Sequence, residues 1–293
     1  MEKKYSIFHI EGGLGKNIMA TAVAQCIKNN YPDRELIVVG SYPEIFLNLK
    51  FVDRVYRIGN TPYFYQNYIE NTDNLIFRSE PYFTTSYINQ TSHLIKSWCD
   101  LFQLEYNEET PQLIFNRAQE SEAIGMWYRD KPIMVIQTNG GPPSQKVTNA
   151  WTRDMPPLIA QEIAQHYSQD YHIIQVTRDN TFTIPGAEVV TNIESSMMFL
   201  SLLKFSKKRF LIDSSLQHAA QALNLKSTVL WIGNSPSVLG YDLHDNISPQ
   251  LPSIMLPDSY MGKYDIGGRT YECPIQDEKL FNVEEIISSI DNQ

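Results

Sequence analysis

"RFLIDSSLQHAAQALNLKSTVLWIGNSP", residues 209–236, is the stretch from which the fold can be read. An apolar run, Arg209–Ile212, closes on Asp213, Ser214 and Ser215, and a helical pattern starts at once with Leu216, Gln217 and His218 in its first turn. "STVLWIG" then returns as a second short apolar run. Strand, helix and strand at this spacing form a right-handed βαβ unit, the building block of a parallel sheet. In an open parallel sheet, ligands sit at the carboxyl ends of the strands. Two serines at a helix N-terminus offer hydroxyls and unpaired N–H groups to an anion. A plain N-cap would also place Asp or Ser there, stabilising the helix by about 1 kcal/mol with no ligand. The cap accounts for one residue and leaves Asp213, Ser214, Ser215, Gln217 and His218 together unexplained.

The same alternation extends upstream. "KPIMVIQTNGG" reads as a strand ending in a polar, Gly-rich loop at Thr138, Asn139 and Gly140, and "MPPLIAQEIAQHY" as a helix with Pro tolerated in its first turn. "YHIIQV" and "AEVV" are strands, and "SSMMFLSLLKFS" is an apolar helix. The first half repeats the scheme, with a strand at Tyr5–Ile10, a helix at Lys16–Asn29 and a strand at Glu35–Gly40. A short helix and a strand around Arg54–Ile58 follow, and "SHLIKSWCDLFQLEY" is a further amphipathic helix. The aromatic stretch from Tyr63 to Phe77 interrupts the pattern; its rings suit core packing or an acceptor site, with core packing favoured. Charged residues between Asn107 and Lys131 suit an interdomain connection carrying a strand, Gln112–Phe115, and a helix, Arg117–Arg129. Two series joined by one connection predict an α/β protein of two facing Rossmann-like domains, residues 1–125 and 126–293.

Composition fits that size. The chain has 293 residues, 42% hydrophobic and 19% charged, which describes a globular protein with room for two cores. A net charge of −9 argues against a large duplex-DNA footprint, because phosphate neutralisation needs a basic face. Cys26, Cys99 and Cys273 lack metal-type spacing and read as reduced thiols of a cytoplasmic protein. No run approaches the roughly 20 apolar residues of a membrane span, and no signal peptide is expected.

At the other end of the chain, "HIEGGLGKNIMATAVAQCIKNN", residues 9–30, sets Gly12, Gly13, Gly15, Lys16 and Asn17 between a strand and a helix. A Walker A loop needs an earlier glycine and a later Ser or Thr where Ile10 and Asn17 stand, and a dinucleotide fingerprint needs a third glycine where Ile18 stands. Neither motif is present. The loop is either a tight βα turn or a backbone cradle for phosphate.

The stretch "LIDSSLQHAAQALNLKSTVLWIGNSP" resembles the signature of the heptosyltransferase-like glycosyltransferases of family 9, through Asp213, Ser214, His218, Ala219, Gly233 and Pro236. "GGLGKNIMATAVAQCIKNNYPDREL" with "FVDRVYRIG" is similar to that family's opening segment, and "VIQTNGGPPSQKVTNAWTRDMPP" to its first C-terminal loop. The resemblance implies a GT-B architecture, a nucleotide-sugar donor in the second domain, an acceptor in the first, and inverting transfer without a metal or other cofactor. Two positions depart from the pattern. Ser215 stands where the family has Gly, and Lys16 replaces the carboxylate that would act as base.

The chemistry orders the remaining candidates. Without a metal, charge building on a leaving diphosphate must meet preorganised donors and cations. Ser214, Ser215, Lys146, Arg153 and Lys16 suit that task, Thr138, Asn139 and Gly140 suit the diphosphate or sugar, and Arg178 or Asp179 the nucleoside. Glu11 is the first candidate base, His9 the second and Glu80 the third, while Asp213 would orient sugar hydroxyls or cap its helix. His218 reads equally as a phosphate donor and as a satisfied core residue. The expected donor is an ADP-, UDP- or GDP-sugar, with a glycan acceptor preferred to nucleic acid. A non-catalytic nucleotide- or glycan-binding protein and a sugar-nucleotide epimerase are the alternatives.

Overall fold

A computed structural model describes residues 3–141, 153–191, 193–249 and 280–293. Two separate, wholly parallel sheets form its frame. The first contains β1 (Lys4–Ile10), β2 (Glu35–Gly40), β3 (Arg54–Arg57) and β4 (Asp73–Phe77), in the order β3-β2-β1-β4. The second contains β5 (Ile133–Gln137), β6 (His172–Val176), β7 (Glu188–Val190), β8 (Ser206–Ile212), β9 (Thr228–Leu230) and β10 (Asp245–Ile247), in the order β10-β9-β8-β5-β6-β7. Each sheet grows to one side of its first strand and then crosses to the other. That reversal opens a crevice at the carboxyl ends of β1 and β4 in one sheet, and of β5 and β8 in the other.

The helices are α1 (Leu14–Asn30), α2 (Phe64–Tyr68), α3 (Thr85–Ile88), α4 (Leu94–Leu101), α5 (Arg117–Trp127), α6 (Pro157–Tyr167), α7 (Ser196–Phe205), α8 (Ser215–Ala222), α9 (Pro236–Leu239) and α10 (Val283–Asp291). In α1, Lys16 through Ala24 are all buried, together with Cys26 and Ile27. The reason is position: α1 lies between its own sheet and α8, so it needs small and apolar residues on more than one side. Gly15 marks the closest approach, where an added Cβ would lie 2.9 Å from His218 Cδ2 and 3.3 Å from Ser215 Cα.

One continuous apolar core therefore serves both halves. It runs from Phe8, Ile10, Met19, Val23 and Trp98 into Val135, Leu211, Leu216 and Ala219. The far face of the second sheet is closed by α6 and α10 over Met134, Ile136, Phe210 and Ile212. The far face of the first sheet carries a smaller cluster, Tyr5, Ile7, Ile37, Val39 and Tyr68, with Tyr56, Ile58, Phe64 and Ile69 packed against it.

Two sequence expectations differ from the structure. The strand expected at Gln112–Phe115 does not form, and among the described residues no strand lies beside it to pair with it. Its polar backbone is satisfied by side chains instead: Gln112 N donates to Thr21 Oγ1 (2.8 Å) and Ile114 O accepts from Asn48 Nδ2 (2.8 Å). A strand absent from the sequence reading, β4, lies within the aromatic stretch. That stretch is divided: Phe64 and Tyr68 pack in the small outer cluster, whereas Tyr63 and Tyr65 stand in solvent. Position 125 falls inside α5, whose Trp127 Nε1 donates to Met198 O (3.1 Å) and Ser201 Oγ (3.0 Å) of α7.

Candidate active site

The crevice of the first sheet is walled by the loop after β1. Gly12 has φ +114°, a conformation that favours glycine, and a Cβ there would also meet Lys16 Cδ at 3.0 Å. Asn17 fixes the turn. Its buried amide donates to Gly13 O (3.0 Å) and Gly12 O (3.3 Å), while its oxygen accepts from Tyr42 N (3.4 Å). Asn17 thus works on the loop itself. No side chain caps α1, no acidic residue sits in its first turn, and the space beside Gly13 is open.

Lys16 points back under this loop. Its side chain is 6% exposed, and its ammonium lies 2.5 Å from Glu80 Oε2 and over the rings of Tyr82 (5.3 Å) and Trp98 (5.4 Å). Glu80 follows β4 and caps the turn at Pro81–Phe83, Oε1 accepting from Tyr82 N at 3.5 Å. Glu11 is different. It is 59% exposed and accepts from Arg78 Nη2 (3.1 Å), itself 65% exposed, with His9 Nδ1 3.7 Å away. Burial, reinforced by Arg78, lowers the His9 pKa, against the pull of Glu11.

Thr138, Asn139 and Gly140 leave β5 and abut Ser214 at the end of β8: a Cβ on Gly140 would lie 2.9 Å from Ser214 Oγ and 3.3 Å from Arg153 Nε. Thr138 Oγ1 accepts from Gln175 Nε2 (2.8 Å) and donates to Asn139 Oδ1 (3.0 Å), which also accepts from Thr177 Oγ1 (2.6 Å). Ser214 precedes α8 with extended backbone and makes no side-chain cap hydrogen bond. A capping role thus does not account for its hydroxyl. Ser215 is half-buried beside it. Asp213 is buried and accepts from Asn234 Nδ2. Burial raises its pKa, while the Asn234 hydrogen bond and the charge of Arg153 oppose the shift.

Tyr82 connects the two crevices. Burial pushes its hydroxyl well above the ordinary range, with contributions from Tyr87, from Asp213 across the cleft and from Glu80, opposed by Arg153. Tyr82 and Asn234 were not singled out in the sequence; each is an unremarkable member of "SEPYF" or "GNSP" until the halves are brought together.

Below the cleft the halves are stitched by a buried polar seam. His218 packs on Gly15, and its Nδ1 is hydrogen-bonded to Tyr241 OH (2.9 Å). The Tyr241 ring in turn meets His93 of the first half, centroids 5.3 Å apart. Gln217 Nε2 donates to Leu239 O (2.9 Å), and Gln217 O pairs with His244 Nε2 (3.0 Å). Burial, with His93 and His244 nearby, pushes the His218 pKa down to about 3, so the ring is neutral. His218 is thus enclosed between the two halves. Leu216 is likewise fully buried.

Arg178 is almost wholly enclosed and pairs with Asp154 (2.5 Å), whose other oxygen accepts from Gly140 N (3.4 Å). It braces the Gly140 loop, and its neighbour Asp179 is exposed. Lys146 lies outside the described residues. Among the described residues there is no group of three or more His, Cys, Asp or Glu set to hold a metal ion, and no helix long and apolar enough to cross a membrane.

No family model matches this chain, and no curated protein matches it. Solved structures do. A family 9 glycosyltransferase from Veillonella parvula superposes with a TM-score of 0.67 at 12% identity, covering 100% of this chain and 98% of that one. ADP-heptose LPS heptosyltransferase II of E. coli gives 0.61 at 13% identity, covering 98% and 99%. A dodecameric, iron-containing glycosyltransferase from enterotoxigenic E. coli gives 0.69 at 14%, covering 100% and 76%. With two parallel Rossmann-like sheets meeting at their crevices, the chain has the GT-B fold that these glycosyltransferases share.

Proposed function

We propose that this protein is a glycosyltransferase that moves a sugar from a nucleoside diphosphate to an acceptor hydroxyl, with inversion and without a metal. One observation carries the reading: the Ser214 hydroxyl, which makes no cap hydrogen bond, and the Arg153 guanidinium both abut Gly140 at the β5/β8 crevice, opposite the open glycine turn of α1. Such a crevice is where open α/β sheets hold nucleotides, and a helix N-terminus favours the diphosphate. Residues 126–293 would then hold the donor and residues 1–125 the acceptor. As the C1–O bond breaks, negative charge gathers on the diphosphate; Arg153, Ser214, Ser215 and the N–H groups of α8 would meet it, with Lys146 as a further cation. Thr138 and Thr177 both donate to Asn139 Oδ1, a hydrogen-bonded set that would fix the loop bordering this charge. Asp213 would orient sugar hydroxyls.

The ADP-heptose named for one matched structure makes an ADP-sugar the first donor to try, before UDP- and GDP-sugars. A glycan is the preferred acceptor over nucleic acid, consistent with the net charge of −9. The buried thiols of Cys26 and Cys99 suit a cytoplasmic setting. A second reading, nucleotide binding without turnover, draws its support from Lys16 at the position expected to hold a carboxylate.

Thermal melts with ADP, UDP and GDP test the donor site. A nucleotide at 100 times its Kd adds about 2.7 kcal/mol, a readily measured shift. Release of nucleoside diphosphate from the matching sugar nucleotide then separates the two readings: turnover supports the transferase, binding alone the second. No stabilisation by any of the three ends both.

A further inference from the structure

The first-sheet crevice contains two carboxylates that can face an acceptor: Glu11, after β1, and Glu80, after β4. Their settings differ. Glu11 is held by Arg78, with His9 Nδ1 3.7 Å away, and the Glu11 and Arg78 side chains are mostly in solvent. An exposed pair of this kind fixes direction weakly. Glu80 is 34% exposed, enough to meet a ligand, and both its oxygens are engaged: Oε2 by Lys16 at 2.5 Å and Oε1 by Tyr82 N at 3.5 Å. Lys16 is itself immobilised beneath the loop between two aromatic rings. An ammonium so enclosed requires a partner charge, and Glu80 supplies it. Tyr82, two residues beyond Glu80, stacks edge-on against Tyr87 with ring centroids 4.9 Å apart, and Tyr87 shares a small hollow with Asn234 and Ser235 of the other half. The turn that begins at Glu80 is therefore the part of the first half that borders the donor side.

We infer that Glu80 is the general base for the acceptor hydroxyl and that Lys16 is its positioning residue. The inference rests on the transferase reading. In the step, the acceptor O–H proton passes to the Glu80 carboxylate as the oxygen forms a bond to C1 of the sugar. The C1–O bond to phosphate breaks, and its electron pair leaves with the diphosphate on the Ser214 side. The neutral acid then returns its proton to solvent.

The test uses the full chain, with nucleoside diphosphate release from ADP-, UDP- and GDP-sugars, water serving as acceptor. Glu80→Gln should lower kcat by about 10²–10⁴-fold while leaving the nucleotide-induced melting shift intact. Glu80→Asp should recover part of the rate. Lys16→Met should lower kcat with KM little changed, and Lys16→Arg should restore part of it. Because Glu80→Gln strands a buried cation, the double variant Lys16→Met/Glu80→Gln keeps the comparison available if the single variant misfolds; it should be folded and as slow. A folded Glu80→Gln or double variant within threefold of the wild-type kcat overturns the inference, as does a larger loss in Glu11→Gln than in Glu80→Gln. A wild-type chain that binds nucleotide yet turns over none of the sugars, or binds none, instead removes the transferase reading on which it rests.

Discussion

Replacing Gly15 by alanine tests the joint between the two halves. The new methyl would lie 2.9 Å from His218 Cδ2 and 3.3 Å from the Cα of Ser215. Carbon atoms settle at roughly 3.5–4.0 Å, so about 0.6–1.1 Å must be found. The His218 ring cannot readily swing aside, since Tyr241 OH holds its Nδ1 at 2.9 Å. The remaining freedom is to push α8 away from α1. Overpacking of this kind costs about 1–3 kcal/mol. Alanine returns at most about 1 kcal/mol of helix propensity, and less here because Gly15 is in the first turn of α1. The net loss of about 1–2 kcal/mol corresponds to a Tm lower by roughly 2–8 °C. Gly125 offers the opposite case: it is exposed within α5 and nothing lies within 4 Å of its Cβ position, so Gly125→Ala should raise Tm slightly. Calorimetric melts of the two variants beside wild type decide the matter. If Gly15→Ala melts at or above wild type while Gly125→Ala behaves as expected, the tight α1–α8 crossing is refuted.

Asp154→Ala removes an ion-pair partner of the enclosed Arg178 guanidinium and an acceptor for Gly140 N. The expected loss is about 3–5 kcal/mol in urea unfolding, and an unchanged midpoint would contradict the bracing role of this pair. Acidification should loosen the seam through His93, His218 and His244, whose pKa values burial lowers from 6.5 to about 4, 3 and 4. Above pH 6.5 neither the folded nor the unfolded chain binds protons at these rings, and their contribution is level. Below it the unfolded chain takes up protons that the folded seam refuses, so stability falls until the folded values are reached. His93→Asn should therefore flatten the dependence of the urea midpoint on pH between 6.5 and 5, and an identical slope would argue against a buried neutral ring.

Much of this frame is legible because interior parallel strands advertise themselves. Glu35–Gly40, four of whose residues are Leu, Ile or Val, is recognised to the residue, and β5 and β8 read nearly as well. Edge strands do not. β4 lies at the edge of its sheet, opens with Asp73 and Asn74, and leaves Ile76 58% exposed, so the periodic signal is faint. With β4 unread, "FRSEPYF" is not seen to be a strand end, so the position of Glu80 beside the first-sheet crevice does not show in the sequence. The status of His218 was equally beyond local pattern. What encloses it, Gly15 and His93, comes from the other half of the chain. Gln112–Phe115 shows the converse error, where alternating apolar residues pack on the core without any strand to join.

The Lys16–Glu80 contact binds the fates of two positions that are remote in sequence. An acidic residue introduced at 16 would face Glu80 as a like charge, and a basic one at 80 would set two cations against each other beneath the same rings. Neither site can drift alone across the sign of its charge; divergence here must proceed through paired exchange or through a neutral intermediate. Any attempt to graft an α1 carboxylate into this scaffold therefore begins with two codons.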